Sequence, residues 1–536
     1  LLQNQATGDL FTALQHRDGA AFSRALIIIV LLILLYLMVA VLRVYLDQTL
    51  QLRWRRWLTD QYVTRWLADR TFYRMRFSGR VDNPDQRISE DVRLFIERSM
   101  SLGLGLLNAL STLASFAALL WYLSGSLTVT VGDVEVTIPG YMFWVAVLYT
   151  GIGSTLAHLI GRPLIRLNNR QLEAEADFRF SLVRLREEAE SIALYGGEGR
   201  ERAIALGRFR ILYENFKRII LRSNQYLLFQ LLFSQFTSVF ALAIASPRYF
   251  SGAVQLGVLT QTASAFERVN EALSWLIGSY ITFAEWRATV DRLTEFAAEI
   301  RREGEAAALA TRTEPAAQDT IDLQGVGVSL PDGSPMLAPV TLSLKPHVPV
   351  LMKGPSGIGK STLFRVIAGL WPFATGRIRL PAGTRILFLP QRPYMPIGTL
   401  REALWYPAQT SPEREAEARA ALVAVGLVAL TPRLDEDAHW AQMLSLGEQQ
   451  QLAIARALLI KPDWLFLDEA TSAVDFEEEA SLYRTVTVSL PETTVISIGQ
   501  HDSFDVFHRR MISIVRTMGQ PGRIVDRDGD LIGQTI

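Results

Sequence analysis

The chain has 536 residues and a mass of 60.0 kDa, more than one compact domain of roughly 100–200 residues accommodates. Apolar residues make up 49%, charged residues 20%, and mean hydropathy is +0.18, too greasy for an ordinary soluble protein and too polar for a wholly intramembrane one. Fifty-four basic residues balance fifty-four acidic ones, so net charge gives no case for nucleic acid as a partner. With no cysteine, disulfides, thiolate catalysis, CxxC zinc sites and iron–sulfur clusters are excluded, and the six histidines show no HExxH spacing.

Apolar runs come first along the chain. Ala25–Leu42 is about 18 residues without a charge, nearly enough at 1.5 Å per residue to cross a hydrocarbon core of ~30 Å. Arg43 and Arg53–Arg56 follow it as a stop-transfer flank would, which separates it from a cleaved signal peptide. Ser101–Gly132 is uncharged and reads as a second span up to Leu123; Val136–Gly161, carrying only His158, reads as a third; Ser223–Pro247 is a fourth. Ala272–Ala284 is a weaker fifth, preceded by Glu267, Arg268 and Glu271. Those three are ordinary headgroup-level residues or, because charge facing lipid is costly, the lining of a polar cavity.

Charge between the spans sets orientation. Arginines crowd the segments from Arg53 to Arg80 and from Arg162 to Arg186, so both are expected on the cytoplasmic side. The connection Gly125–Gly140 has two acids and no base and belongs outside. Alternation then returns the chain to the cytoplasm after the fifth span. Gln171–Ala193 mixes charges at helical spacing with a thin apolar stripe, predicting a long helix that leaves the bilayer and ends at Tyr195-Gly196-Gly197. The expected division is a membrane domain over 1–300, an alanine-rich linker over 301–319, and a mixed α/β domain over 320–536.

Within that last part, Gly354-Pro355-Ser356-Gly357-Ile358-Gly359-Lys360-Ser361-Thr362 fits GxxxxGK[ST] between an apolar strand, Val348–Met352, and a helix, Ser361–Ala368. Glycines there let successive backbone N–H groups face a phosphate, and the helix N-terminus adds its positive end. Lys360 can reach the β- and γ-phosphates of ATP, and Ser361 offers a hydroxyl to Mg²⁺. The apolar strand Trp464–Leu467 ends in Asp468-Glu469. The first carboxylate suits the metal and the second suits polarising the attacking water.

Leu444-Ser445-Leu446-Gly447-Glu448, ahead of a helix and just upstream of that strand, resembles the LSGGQ signature of ABC ATPases, with Leu446 and Glu448 as departures. Standing alone the pentapeptide is a helix cap; between the two phosphate motifs it marks the superfamily. Gln391 looks like its Q-loop, which implies a metal contact, and Ser472–Asp475 like its D-loop. The family's switch histidine is out of register in Gly499-Gln500-His501, so either Gln500 or His501 meets the γ-phosphate. Leu330-Pro331 stands where many such domains carry an adenine-stacking tyrosine.

Asn83–Ile88, Gly369–Pro372, Leu389–Tyr394 and Gly398–Arg401 resemble the subfamily D pattern, and the chain is similar over nearly its whole length to the bacterial BacA/SbmA-related transporters with a fused ATPase. The resemblance implies an α-helical exporter-type membrane domain followed by an α/β P-loop ATPase domain. It implies six spans, of which five are visible here, with the family's first lying outside this sequence. It implies a homodimer in a bacterial inner membrane, with Ser445, Gly447 and Glu448 of one subunit closing over ATP and Mg²⁺ held by the other. The implied cargo is a bulky hydrophilic solute such as an antimicrobial peptide or cobalamin, taken up; alternatives are fatty acids or acyl-CoA, or no cargo, as in a membrane-anchored ATPase.

Overall fold

The computed structural model describes residues 2–80, 83–131, 134–310, 313–316, 318–409, 414–499, 502–517 and 519–526. The chain divides into two compact units, one of Leu1–Gln61 with Asp85–Thr294, the other of Tyr62–Pro84 with Glu295–Ile536.

The first unit is built from long helices. Gly19–Leu67, Val92–Ser124, Tyr141–Glu187 and Glu198–Phe250 carry four of the five apolar runs, and the stretches containing them are long and apolar enough to cross a membrane. The fifth run lies inside Leu256–Ala310, whose uncharged part is too short to stand out by hydropathy. Ala25 alone is buried in the helix Gly19–Leu67, and Leu31, Leu34, Leu35 and Val41 around it are exposed. An apolar surface of that extent is stable against lipid, not water.

Between the second and third spans the structure corrects one boundary. Val134–Pro139 is not the start of the third span but a strand, paired antiparallel with Ser126–Val131, and the helix begins at Tyr141. Alternating β-branched and polar residues favour that hairpin over a helix. Below it, Leu120, Met142, Ala146, Phe266 and Val269 form a fully buried core, with Tyr149 stacked at 4.7 Å on both Phe233 and Phe240. At the other end of the helix Tyr141–Glu187, the long cytoplasmic extension is continuous with the span, and a short helix, Ala189–Tyr195, stops at Gly196, whose φ of 62° suits glycine. Asp91, buried at the head of Val92–Ser124, is gripped by Arg292 at 2.6 and 2.9 Å and by Arg87 at 2.8 Å. A buried carboxylate is tolerable there because each oxygen has a cationic partner.

The second unit centres on a six-stranded sheet in the order Arg523–Asp526, Arg510–Val515, Val350–Lys353, Thr494–Ile498, Trp464–Asp468, Ile386–Leu389. Four of its five pairings are parallel, and their strands are largely apolar, as expected of strands covered by helices on either side. A four-stranded sheet containing Ile321–Ser329 and Pro335–Leu344 packs with it around Leu323, Val350, Leu363 and Phe466. The alanine-rich run read as a linker stays helical to Ala310, as its composition favours, and Thr313–Ala316 adds a strand beside Arg377–Pro381. The short helix Thr71–Ser78 also belongs to this unit: Phe77 meets Trp371 at 5.2 Å and Phe373 at 5.7 Å edge-on, and Arg70 donates to the carbonyl of Ala368.

Candidate functional site

The carboxyl ends of the parallel strands carry the site. Val350–Lys353 runs into the glycine loop, and the helix Lys360–Ile367 leaves it. Gly354, Gly357 and Gly359 have φ of 154°, 74° and 109°, values that side chains disfavour. A Cβ on Gly354 would stand 2.7 Å from the Ile514 carbonyl oxygen, and one on Gly359 2.9 Å from Met336 Sδ. Glycine is therefore favoured at those points, and a glycine loop leading into a helix N-terminus suits backbone N–H groups to a phosphate. Lys360 is buried and curls back, donating to the carbonyl oxygens of Gly354 at 2.6 Å and Pro355 at 3.0 Å. Pro355 and Ser356 lie exposed along the loop, whereas Ile358 and Thr362 are buried.

Ser361 Oγ donates to Asp468 Oδ1 at 2.7 Å across 107 residues of sequence. Burial pushes the Asp468 carboxyl above the usual range, against the downward pull of the Ser361 hydroxyl and of Arg365 and Lys360. A half-buried carboxylate beside a hydroxyl and a cationic lysine is a donor set suited to Mg²⁺ with a triphosphate, hard oxygen ligands around an ion whose charge offsets that burial. Glu469 follows with φ of 49°, a left-handed conformation for a residue other than glycine. That turn points its carboxylate at Gln391, whose Nε2 donates to Glu469 Oε2 at 3.3 Å.

The signature segment forms as a helix start. Ser445 is the N-cap of Leu446–Ile460: its Oγ accepts from Glu448 N at 3.2 Å, and Glu448 Oε2 accepts from Ser445 N at 2.8 Å and Ser445 Oγ at 2.9 Å. The Glu448 carboxylate is thus engaged by its own helix cap. At Gly447 a Cβ would come within 2.9 Å of the Ala473 carbonyl, so glycine lets the D-loop approach.

Sequence reasoning missed Gln450. Fully buried, it donates to the Gln391 carbonyl at 2.8 Å and accepts from Ala473 N at 2.8 Å, tying Q-loop, signature helix and D-loop together. Its place two residues past the signature was the only signal. Leu330-Pro331 falls in the turn between Ile321–Ser329 and Pro335–Leu344. Gln500 and His501 lie outside the described residues. Groups of three or more histidine, cysteine and acidic residues able to hold a metal are absent among the described residues.

In the first unit a cavity of about 710 Å³ opens between the helices Tyr141–Glu187, Glu198–Phe250 and Leu256–Ala310. His158, Asn168, Gln230, Glu267, Asn270 and Glu271 are among its lining residues; Arg268, expected with them, is not, and pairs with Glu271 at 3.0 Å. Ser238 donates to Glu267, and Thr150 donates to Asn270 at 2.7 Å.

A phosphate-gripping ATPase domain fused to membrane-crossing helices defines an ATP-driven membrane transporter. Residues 1–250 match the family model described as ABC transporter transmembrane region 2, and residues 337–472 match the one described as ABC transporter. The Escherichia coli inner membrane ABC transporter ATP-binding protein YddA is 33% identical over 498 residues, covering 92% of this chain and 87% of that protein. The human lysosomal cobalamin transporter ABCD4 is 27% identical over 543 residues, covering 94% and 87%. The solved structure of a bacterial Atm1-family ABC exporter with ATP bound shares the fold, with a TM-score of 0.71 at 17% identity over 95% of this chain and 90% of that one. The chain belongs to the ABC transporter family, with an exporter-type helical domain followed by an ABC ATPase domain, and its relatives are of the subfamily D type.

Proposed function

We propose that this chain is one half of a homodimeric ATP-driven transporter that takes up bulky hydrophilic solutes, cobalamin or peptides among them, across a bacterial inner membrane, its ATPase domain cytoplasmic. The polar cavity among the membrane helices carries the cargo reading. Carboxylates, amides and a histidine facing one space inside a span are costly unless water or a polar cargo meets them. The human relative, described as a cobalamin transporter, and the bacterial one, described as an inner membrane protein, support the same choice. An acyl-chain cargo is the second reading, favoured by Phe229, Phe233 and Ile277 on the cavity wall.

The ATPase step follows from the site. Lys360 uses two N–H bonds on loop carbonyls, which leaves the third for the β- and γ-phosphate oxygens. Ser361 and Asp468 are the residues that would hold Mg²⁺, which when bound would offset the negative charge of the triphosphate. Glu469, oriented by its left-handed turn and by Gln391, takes the proton of the water that attacks the γ-phosphorus. Ser445 and the N-terminal N–H groups of its helix form the second face of the clamp, contributed to the partner's nucleotide. Dimerisation is supported by the tip helix Ala189–Tyr195, whose Leu194 and Tyr195 are 80% and 90% exposed, an apolar pair suited to a second chain.

The deciding assay is ATP-dependent accumulation of labelled cobalamin, a cationic peptide and an acyl-CoA in sealed vesicles carrying the full chain. Accumulation of either hydrophilic solute supports the proposal. Movement of acyl-CoA alone, or ATP turnover without flux of any of the three, overturns it.

A further inference from the structure

The strand Thr494–Ile498 is buried at every position and lies between Trp464–Asp468 and Val350–Lys353, yet its fourth residue is a serine. A wholly buried hydroxyl needs partners inside the protein. His508 Nε2 lies 2.9 Å from Ser497 Oγ, and the Tyr483 phenol hydrogen-bonds to both Ser497 and Thr471. Thr471 Oγ1 in turn donates to Glu479 Oε1 at 2.6 Å. Ser497, Thr471, Tyr483 and Glu479 are 0%, 2%, 4% and 5% exposed. Burial holds the Tyr483 phenol far above its ordinary range, so it stays a neutral hydrogen-bonding group.

The chain's course gives this buried row its meaning. After Ile498 the backbone leaves the sheet, passes through Gly499 and the turn Asp502–Phe507, and comes back at His508. The Ser497–His508 contact therefore joins the strand to the residue that follows the turn Asp502–Phe507. Asp505, midway, forms an ion pair with Lys353 at 2.9 Å, and Lys353 immediately precedes the glycine loop. At the far end, Thr471 stands two residues past Glu469 and opens into the D-loop. Five polar side chains in an otherwise apolar layer cost desolvation unless mutually satisfied, and once satisfied they fix one geometry.

We propose that His508 is a positioning residue for ATP hydrolysis: through Ser497, Tyr483 and Thr471 it fixes the segment that aims Glu469, whose own N–H donates to the carbonyl oxygen of Ile498 at 3.2 Å. The inference rests on the ATPase assignment of Glu469.

The test uses the full chain in lipid nanodiscs, with steady-state ATP turnover, binding of a fluorescent ATP analogue, and thermal unfolding read together. His508→Ala is expected to lower kcat about tenfold with KM and analogue affinity within about twofold, the pattern of an interaction that matters in the transition state. His508→Gln, which returns a polar group within reach of Ser497, is expected to recover at least half of the wild-type kcat. Tyr483→Phe, which removes the relay hydroxyl while keeping the ring, is expected to lower kcat about fivefold, and it decides the matter with His508→Gln should His508→Ala not fold. Unchanged kcat in Tyr483→Phe and His508→Ala overturns the proposal. So does a kcat loss in His508→Ala that follows the loss of folded protein and is not rescued by glutamine. Glu469→Gln assayed alongside separates the two levels: wild-type turnover there removes the site assignment itself, whereas a dead Glu469→Gln beside a normal His508→Ala removes only the positioning role.

Discussion

Ser445 is asked to do two things, and substitution separates them. As an N-cap it accepts from Glu448 N at 3.2 Å and is held by Glu448 Oε2 at 2.8 and 2.9 Å, so Ser445→Ala deletes both hydroxyl bonds and takes from the Glu448 amide its cap acceptor. Replacing a capping serine by alanine costs about 1 kcal/mol, which in an ATPase domain of this size lowers its melting temperature by roughly 2–4 °C. Ser445→Asn supplies an equally good capping oxygen, so the melting temperature should stay within about 1 °C of wild type. If Ser445 also faces a partner's triphosphate, asparagine removes the hydroxyl aimed at it, and turnover should fall at least about tenfold, equivalent to about 1.4 kcal/mol in the barrier. Thermal unfolding and ATP hydrolysis are measured on the same full-length preparations. Wild-type turnover in a normally stable Ser445→Asn would reduce the residue to a helix cap and refute the two-sided clamp.

Glu469→Gln should bind ATP, lose at least about a hundredfold in turnover and accumulate as a closed dimer, seen as a shift to the dimeric species by native mass measurement when ATP is added. Lys360→Ala should lose ATP binding in equilibrium titration, because nothing else among the described loop residues brings a cation to the glycine concavity; tight binding in that variant would remove the P-loop assignment. Asp468→Asn should stop hydrolysis yet stabilise the apoprotein at neutral pH. The Asp468 carboxyl is raised by burial, so the folded state takes up a proton before the unfolded one does as pH falls. Its contribution to stability is full below the unfolded value and is lost as pH rises through the folded value. Asparagine keeps the acceptor for Ser361 and removes that loss, and differential scanning calorimetry from pH 4 to pH 8 should show the variant gaining on wild type with rising pH.

What could be read in advance followed from how each feature is encoded. The glycine loop is specified by backbone demands on consecutive residues, so its spelling alone located it, and the strand ending in Asp468-Glu469 identified itself by the same short-range logic. Apolar runs placed the membrane helices because length and hydropathy are local properties, but the start at Tyr141 was hidden because the uncharged end of the strand, Val136–Pro139, runs on into the apolar start of the helix. Ser445 to Glu448 spells a capping box as well as a signature, and only coordinates showed the Glu448 carboxylate spent on the cap. Gln450 and Ser497 were not legible, since a glutamine in a helix and a serine in a strand acquire meaning only from residues 59 and 11 positions away. The grouping of Tyr62–Pro84 with the ATPase unit was likewise out of reach, being a packing choice made across more than two hundred residues.

That last feature bears on how the soluble half should be prepared. Phe77 fills the notch framed by Trp371 and Phe373, so a fragment cut to begin near residue 320 would present two bare aromatic rings to water. Such a fragment should self-associate through that notch, and a short amphipathic peptide spanning Thr71–Ser78, added in trans, should restore its monodispersity.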